Sequence, residues 1–131
     1  MSKYLLDTNA WLRIVAESAK VPIRIQKILK NTSNEIFVSH IAMWEIAIKR
    51  SMGRLGLNTH EAVDVLMTRI NTEAGFSSIP ISPGDIAAVQ YLPWHHRDPF
   101  DRMIITQAQR RGMIIISSDQ QFDAYDVKVV W

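Results

Sequence analysis

Cysteine is absent from the 131 residues, which excludes disulfides, thiolate metal sites and thiol catalysis together. A cysteine-free chain suits a reducing cytosol. Any metal must be held by oxygen or imidazole. Long apolar runs are missing too: the opening segment MSKYLLDTNAWLRIV is interrupted by Asp7 and Arg13, and no small-residue cleavage site follows. Neither a signal peptide nor a membrane span is expected, and the protein is expected to be soluble and cytoplasmic. No Walker A loop, GxGxxG, GxSxG or HExxH occurs, so nucleotide, hydride, serine-hydrolase and zinc-hydrolase readings lack support. Repeats, low-complexity tracts and Gly/Ser linkers are also lacking, and the length fits one domain over residues 1–131 that buries roughly two thirds of its unfolded surface. The formal charge is only +2, yet the pI is about 9.1. If several acids share one pocket, the remaining surface is more basic than the total suggests, which favours a polyanionic partner.

Short β-like apolar runs alternate with longer helical ones. Strands are expected at Tyr4–Leu6, Ile36–Val38, Phe76–Ile79, Met113–Ser117 and, at an edge, Val127–Val130. Thr8 and Asn9 are able to cap a helix near Ala10–Glu17. Pro22 opens a second helix over Ile23–Lys30, and Ser39 caps a third over Ile41–Ile48. Thr59 is expected to cap a fourth, His60–Glu73, that ends at Gly75. Ser82-Pro83 starts a fifth, and Asp98-Pro99 a sixth that runs to Arg111 and stops at Gly112. Such alternation implies an α/β fold with parallel strands and crossover helices.

Within this pattern four acids stand where apolar or neutral residues are expected. Asp7 follows the first strand and Asp119 follows Met113–Ser117, at the strand ends where open α/β sheets bind ligands. Glu45 shares a helical stripe with Ile41 and Ile48 among apolar neighbours, and Asp101 heads a stripe with Ile105 and Ala108. Each has a plainer alternative: a helix cap for Asp7 and Asp119, an i,i+4 pair with Lys49 for Glu45, and a helix start for Asp98 and Asp101. If the four converge, an unpaired buried charge is costly enough that a shared cation is expected. Four carboxylates make a hard oxygen site suited to Mg²⁺ or Mn²⁺, and phosphodiester hydrolysis is the chemistry that follows most naturally. Lys49, Arg50 and Arg54 form a candidate basic rim. His95 and His96, with Trp94, Arg97 and Arg102 nearby, are candidates to contact phosphate or to stack on a base.

Taken together, Tyr4-Leu5-Leu6-Asp7-Thr8-Asn9, Ser39-His40-Ile41-Ala42-Met43-Trp44-Glu45-Ile46, His96-Arg97-Asp98-Pro99-Phe100-Asp101-Arg102 with Gln107-Ala108, and Ser117-Ser118-Asp119-Gln120-Gln121-Phe122 resemble the PIN-domain nucleases, specifically the VapC-type toxins of bacterial toxin–antitoxin pairs. The resemblance spans nearly the whole chain. It implies a three-layer α/β/α domain with a central, mainly parallel sheet, Mg²⁺- or Mn²⁺-dependent endoribonuclease activity, a homodimer, and a small cognate antitoxin. By position Asp7, Glu45, Asp101 and Asp119 take the catalytic and metal-binding roles, with Asp98 an additional acid and either Asp98 or Asp101 the ligand from that segment. Thr8, Asn9 and Ser117 are the supporting residues, Thr8 or Asn9 fixing Asp7 through hydrogen bonds and Ser117 standing where many relatives carry threonine. Lys49, Arg97 and Arg102 are the candidate RNA contacts.

Two other classes compete. A phosphoacceptor signalling domain shares the length and the α/β alternation, but Asp7 has no acidic neighbour and Met113–Asp119 contains no lysine. A catalytically inactive PIN-like module that binds RNA or protein has no reason to retain gathered carboxylates.

Overall fold

The computed structural model describes residues 2–55 and 59–131. Five parallel strands, β1 (Lys3–Leu6), β2 (Glu35–Ser39), β3 (Ser77–Ile79), β4 (Ile114–Ile116) and β5 (Val129–Val130), form one sheet in the order β3-β2-β1-β4-β5. Helices α1 (Thr8–Ala16), α2 (Ile23–Lys30), α3 (His40–Ser51), α4 (Val63–Ala74), α5 (Pro83–Val89) and α6 (Pro99–Arg111) supply the crossovers. The expected α/β class and parallel pairing hold.

Alternation along each strand assigns side chains to two separate cores. Tyr4, Leu6, Ile36, Val38 and Ile116 pack with Trp11, Ile25, Ala42, Ile46 and Met67 of α1 to α4. On the opposite face Leu5 and Ile115 pack with Met103, Ile104, Ile105 and Ala108 of α6 and with Phe122. This is a three-layer α/β/α arrangement. Trp11, fully buried, donates its indole N–H to Asn71 Oδ1 at 2.7 Å and so ties α1 to α4.

The helix boundaries follow the capping chemistry read from the sequence, with two corrections. Ser39, Ser82 and Asp98 cap α3, α5 and α6, and Gly75 and Gly112 end α4 and α6 at φ 77° and 63°, where a Cβ is disfavoured. The cap of α1 is Asp7 rather than Thr8 or Asn9, so the helix begins at Thr8. Helix α4 begins at Val63 rather than His60. The Thr59 hydroxyl accepts from the Glu61 amide in a local turn, and Glu61 is drawn to Arg69, so the chain enters the helix three residues later.

The strand order has a functional consequence. From β1 the chain moves outward to β2 and β3, then crosses back to β4 and β5 on the other side. The direction therefore reverses between β1 and β4. At such a switch point the flanking crossovers diverge and leave a crevice at the carboxyl ends of the strands.

Candidate metal centre

Asp7 leaves β1 at that crevice. One carboxylate oxygen accepts from the Ala10 amide at 2.7 Å as the cap of α1, and the other accepts from the Ser117 hydroxyl just past β4. Asp7 is only 3% exposed. Burial pushes its pKa up to about 6, against the Ser117 and Ala10 hydrogen bonds that lower it, with Asp119 and Glu45 adding repulsion. Ser117 also accepts from the Asp119 amide at 3.0 Å, so one hydroxyl joins both strand-end acids. Asp119 in turn accepts from the Gln121 amide at 2.9 Å.

Glu45 reaches the crevice from α3. It accepts from the Thr8 hydroxyl at 2.6 Å and pairs with Lys49 at 3.3 Å. The plainer i,i+4 reading of Glu45 is thus realised together with its place beside Asp7. Asp101, in the first turn of α6, accepts at Oδ2 from His96, whose Nε2 lies 2.7 Å away. Burial pushes the Asp101 pKa up to about 6; the His96 hydrogen bond opposes this, and Asp98 and Asp7 reinforce it. The donor atoms of His96, Asp101 and Asp119 lie within 4.8 Å of one another, a tighter group that does not include Asp7 or Glu45.

The remaining expected residues divide clearly. Asp98 uses one carboxylate oxygen to cap the Phe100 and Asp101 amides. Neither Thr8 nor Asn9 holds Asp7 as expected: Thr8 serves Glu45, and Asn9 is exposed and makes no side-chain hydrogen bond among the described residues. Lys49 is engaged with Glu45, while Arg97 is exposed beside the site. Arg102 is the clear departure from expectation as a phosphate contact. It is 3% exposed, with its guanidinium donating to the carbonyls of Pro93 and Leu92 at 2.8 and 3.0 Å and stacked 3.7 Å from the Trp94 ring. Its donors are committed to folding the 93–97 loop. Tyr125, which sequence reasoning did not single out, completes that loop: its hydroxyl accepts from the His95 and His96 amides and donates to the Pro93 carbonyl at 2.8 Å.

The acids fit a divalent cation. Among the described residues no lysine or arginine forms an ion pair with Asp7, Asp101 or Asp119, and burial and mutual repulsion disfavour the charged forms of Asp7 and Asp101. Asp85 makes the contrast. It is fully buried, and burial alone would raise its pKa, but Arg111, the Ser82 amide, Gln107 and Arg110 outweigh that and hold it well below the usual carboxylate range. Where this fold needs a carboxylate for structure it supplies arginines; at the crevice it does not.

The PIN domain family matches residues 4–128. The chain belongs to the PIN domain family. Its fold is similar to VapBC2 from Rickettsia felis bound to a promoter DNA fragment (TM-score 0.73, 15% identity, 98% of each chain covered). It is also similar to DNA-bound VapBC from Salmonella typhimurium (TM-score 0.70, 17% identity, 99% of this chain and 98% of that one). FitAcB from Neisseria gonorrhoeae gives a TM-score of 0.64 at 19% identity, with 98% and 96% covered. A comparison with curated protein sequences found no match. Among the described residues no helix of this PIN domain is long and apolar enough to cross a membrane.

The raised pKa values fix the sign of a pH effect. A carboxyl whose folded pKa exceeds its unfolded value of 3.8 binds more protons folded than unfolded between about pH 4 and 6. The contribution of Asp7 and Asp101 to stability is therefore fully present below about pH 4 and lost as the pH rises through about 6. In chelator, the melting temperature of wild type relative to an Asp7→Asn, Asp101→Asn double variant is expected to fall between pH 5 and 7.5. A constant difference would show that burial does not perturb these acids.

Proposed function

We propose that this PIN domain, acting as one domain over residues 1–131, is a Mg²⁺- or Mn²⁺-dependent endoribonuclease and the toxin of a toxin–antitoxin pair. The observation that carries the reading is the gathering of Asp7, Glu45, Asp101 and Asp119 at the switch-point crevice without arginine partners. Asp7, Asp101 and Asp119 hold the ion, with Glu45 beside them. A bound divalent ion supplies Lewis acidity toward the phosphodiester and lowers the pKa of water.

The chain's own residues do the rest. Ser117 and the Ala10 amide fix both oxygens of Asp7, Thr8 orients Glu45, and Lys49 balances its charge. Arg97, exposed at the rim, and the exposed Arg54 that follows α3 attract RNA phosphates. Several of the solved structures of similar fold are toxin–antitoxin complexes, which supports a small antitoxin as partner. A homodimer is the expected occupant of the apolar face bearing Trp44, Ile86 and Trp94, which are 57%, 59% and 75% exposed. The cytoplasm, where RNA is met, is the expected location.

Purified, antitoxin-free protein with Mg²⁺ or Mn²⁺ should cleave RNA to 5′-phosphate and 3′-hydroxyl ends, and a chelator should stop it. Binding of RNA without cleavage in either ion would favour the inactive-module reading. Cleavage that persists equally in chelator would sink the metal-dependent one.

A further inference from the structure

We propose that His96 is a direct nitrogen ligand of the divalent ion, so that the centre is a mixed nitrogen–oxygen site that favours a first-row transition ion such as Mn²⁺ over Mg²⁺. This presupposes the ion-binding role of Asp7, Asp101 and Asp119 stated above and adds a donor that a purely carboxylate site lacks. His96, Asp101 and Asp119 are the one set of three His, Asp or Glu residues among the described residues whose donor atoms all approach within 4.8 Å. Nε2 of His96 stands 2.7 Å from Oδ2 of Asp101. Two neighbouring ligands on an octahedral ion with bonds of about 2.1 Å lie about 3 Å apart. Seating both atoms on one ion therefore asks the pair to open by a few tenths of an ångström and the imidazole to turn so that Nε2 faces the ion instead of Oδ2.

The position of His96 is imposed by the fold. Its amide donates to the Tyr125 hydroxyl at 2.9 Å, and its carbonyl accepts from Arg102 at 3.4 Å. Tyr125 and Arg102 are themselves buried, at 6% and 3% exposure, so the loop backbone is anchored in the core while the imidazole turns into the crevice. The His96 side chain is 11% exposed, sheltered from solvent yet open to an entering ion. Bracing Asp101 alone would not require proximity to Asp119. Yet Asp119, with one oxygen held by the Gln121 amide, brings a donor within reach of the same imidazole. Mg²⁺ gains little from imidazole, being a hard ion that prefers oxygen, whereas transition ions accept it readily.

Pulsed electron paramagnetic resonance on the full chain, stripped of metal and loaded with Mn²⁺, tests this. A ¹⁴N coupling characteristic of coordinated imidazole is expected in wild type and in His95→Gln, and is expected to vanish in His96→Gln. The ratio of Mn²⁺ to Mg²⁺ affinity should fall about tenfold in His96→Gln. His96→Asn serves if His96→Gln does not fold, as judged by circular dichroism. Bound Mn²⁺ with no ¹⁴N coupling in wild type would overturn the proposal even if affinity falls in the variant, because His96 would then only brace Asp101. Coupling that survives loss of His96 would overturn it as well. Failure of wild type to bind Mn²⁺ at all is a different result: it removes the ion-binding reading of the acids, and the ligand role with it.

Discussion

Asp7→Asn is expected to raise the stability of the ion-free protein at pH 7.5 by about 2 kcal/mol while lowering RNA cleavage on the order of a hundredfold or more. The stability gain comes from removing a charge that burial disfavours. The Asp7 pKa is pushed from 3.8 up to about 6, and each tenfold change in proton affinity is worth about 1.4 kcal/mol, so relief of up to about 3 kcal/mol is available before relaxation. Asparagine keeps what the fold needs from the position. It caps a helix about as well as aspartate, and its carbonyl still accepts from the Ala10 amide or the Ser117 hydroxyl. For a chain of this length the melting temperature should rise by about 8 °C. Opposite movements of stability and activity are the signature of a site that stores strain for function. A variant that melts at or below the wild-type temperature would place Asp7 among structural residues.

Arg102→Ala should do the reverse, costing about 3 kcal/mol of stability, and activity should fall with it. The side chain is 3% exposed, and its removal strands the Leu92 carbonyl and leaves Pro93 with Tyr125 alone. It also uncovers the Trp94 ring and loosens the loop that presents His96 to Asp101. Arg102→Lys should recover little, because one ammonium cannot stand in for two separate nitrogens, Nη1 donating to the Pro93 carbonyl and Nη2 to the Leu92 carbonyl. Arg97→Ala is the matched comparison. Arg97 is exposed, so its loss should leave the thermal melt within about 0.5 kcal/mol of wild type and act on RNA affinity alone. If Arg102→Ala melts like wild type and only RNA binding suffers, the guanidinium is a substrate contact after all.

The contrast between these two arginines shows what the sequence could and could not disclose. Local chemistry was legible: Ser39, Ser82 and Asp98 cap helices where a polar side chain meets an apolar periodic run, and Gly75 and Gly112 end helices at positive φ. The four acids were legible as misfits, because Glu45 and Asp101 interrupt helical stripes and Asp7 and Asp119 follow strands. Long-range partners were not. Arg102 is buried because Tyr125, 23 residues away, closes the same loop, and no periodicity couples the two. Thr8 was expected to steady Asp7 and instead reaches Glu45, 37 residues on, a choice made by the β1–β2 pairing that brings α3 beside α1. The late start of α4 depends on Glu61 turning toward Arg69, which a capping signal at Thr59 does not reveal.

If the carboxylates at the crevice hold one cation in common, equilibrium binding of Mn²⁺ to metal-stripped protein, followed by titration calorimetry at pH 7.5, will register it. Saturable binding to wild type, weakened at least about tenfold by Asp7→Asn and by Asp101→Asn separately, is the expected result. Two variants at the ends of different elements, β1 and α6, should impair the same site. No uptake of Mn²⁺ by the wild type, or equal uptake by the wild type and both variants, would show that these carboxylates share no cation.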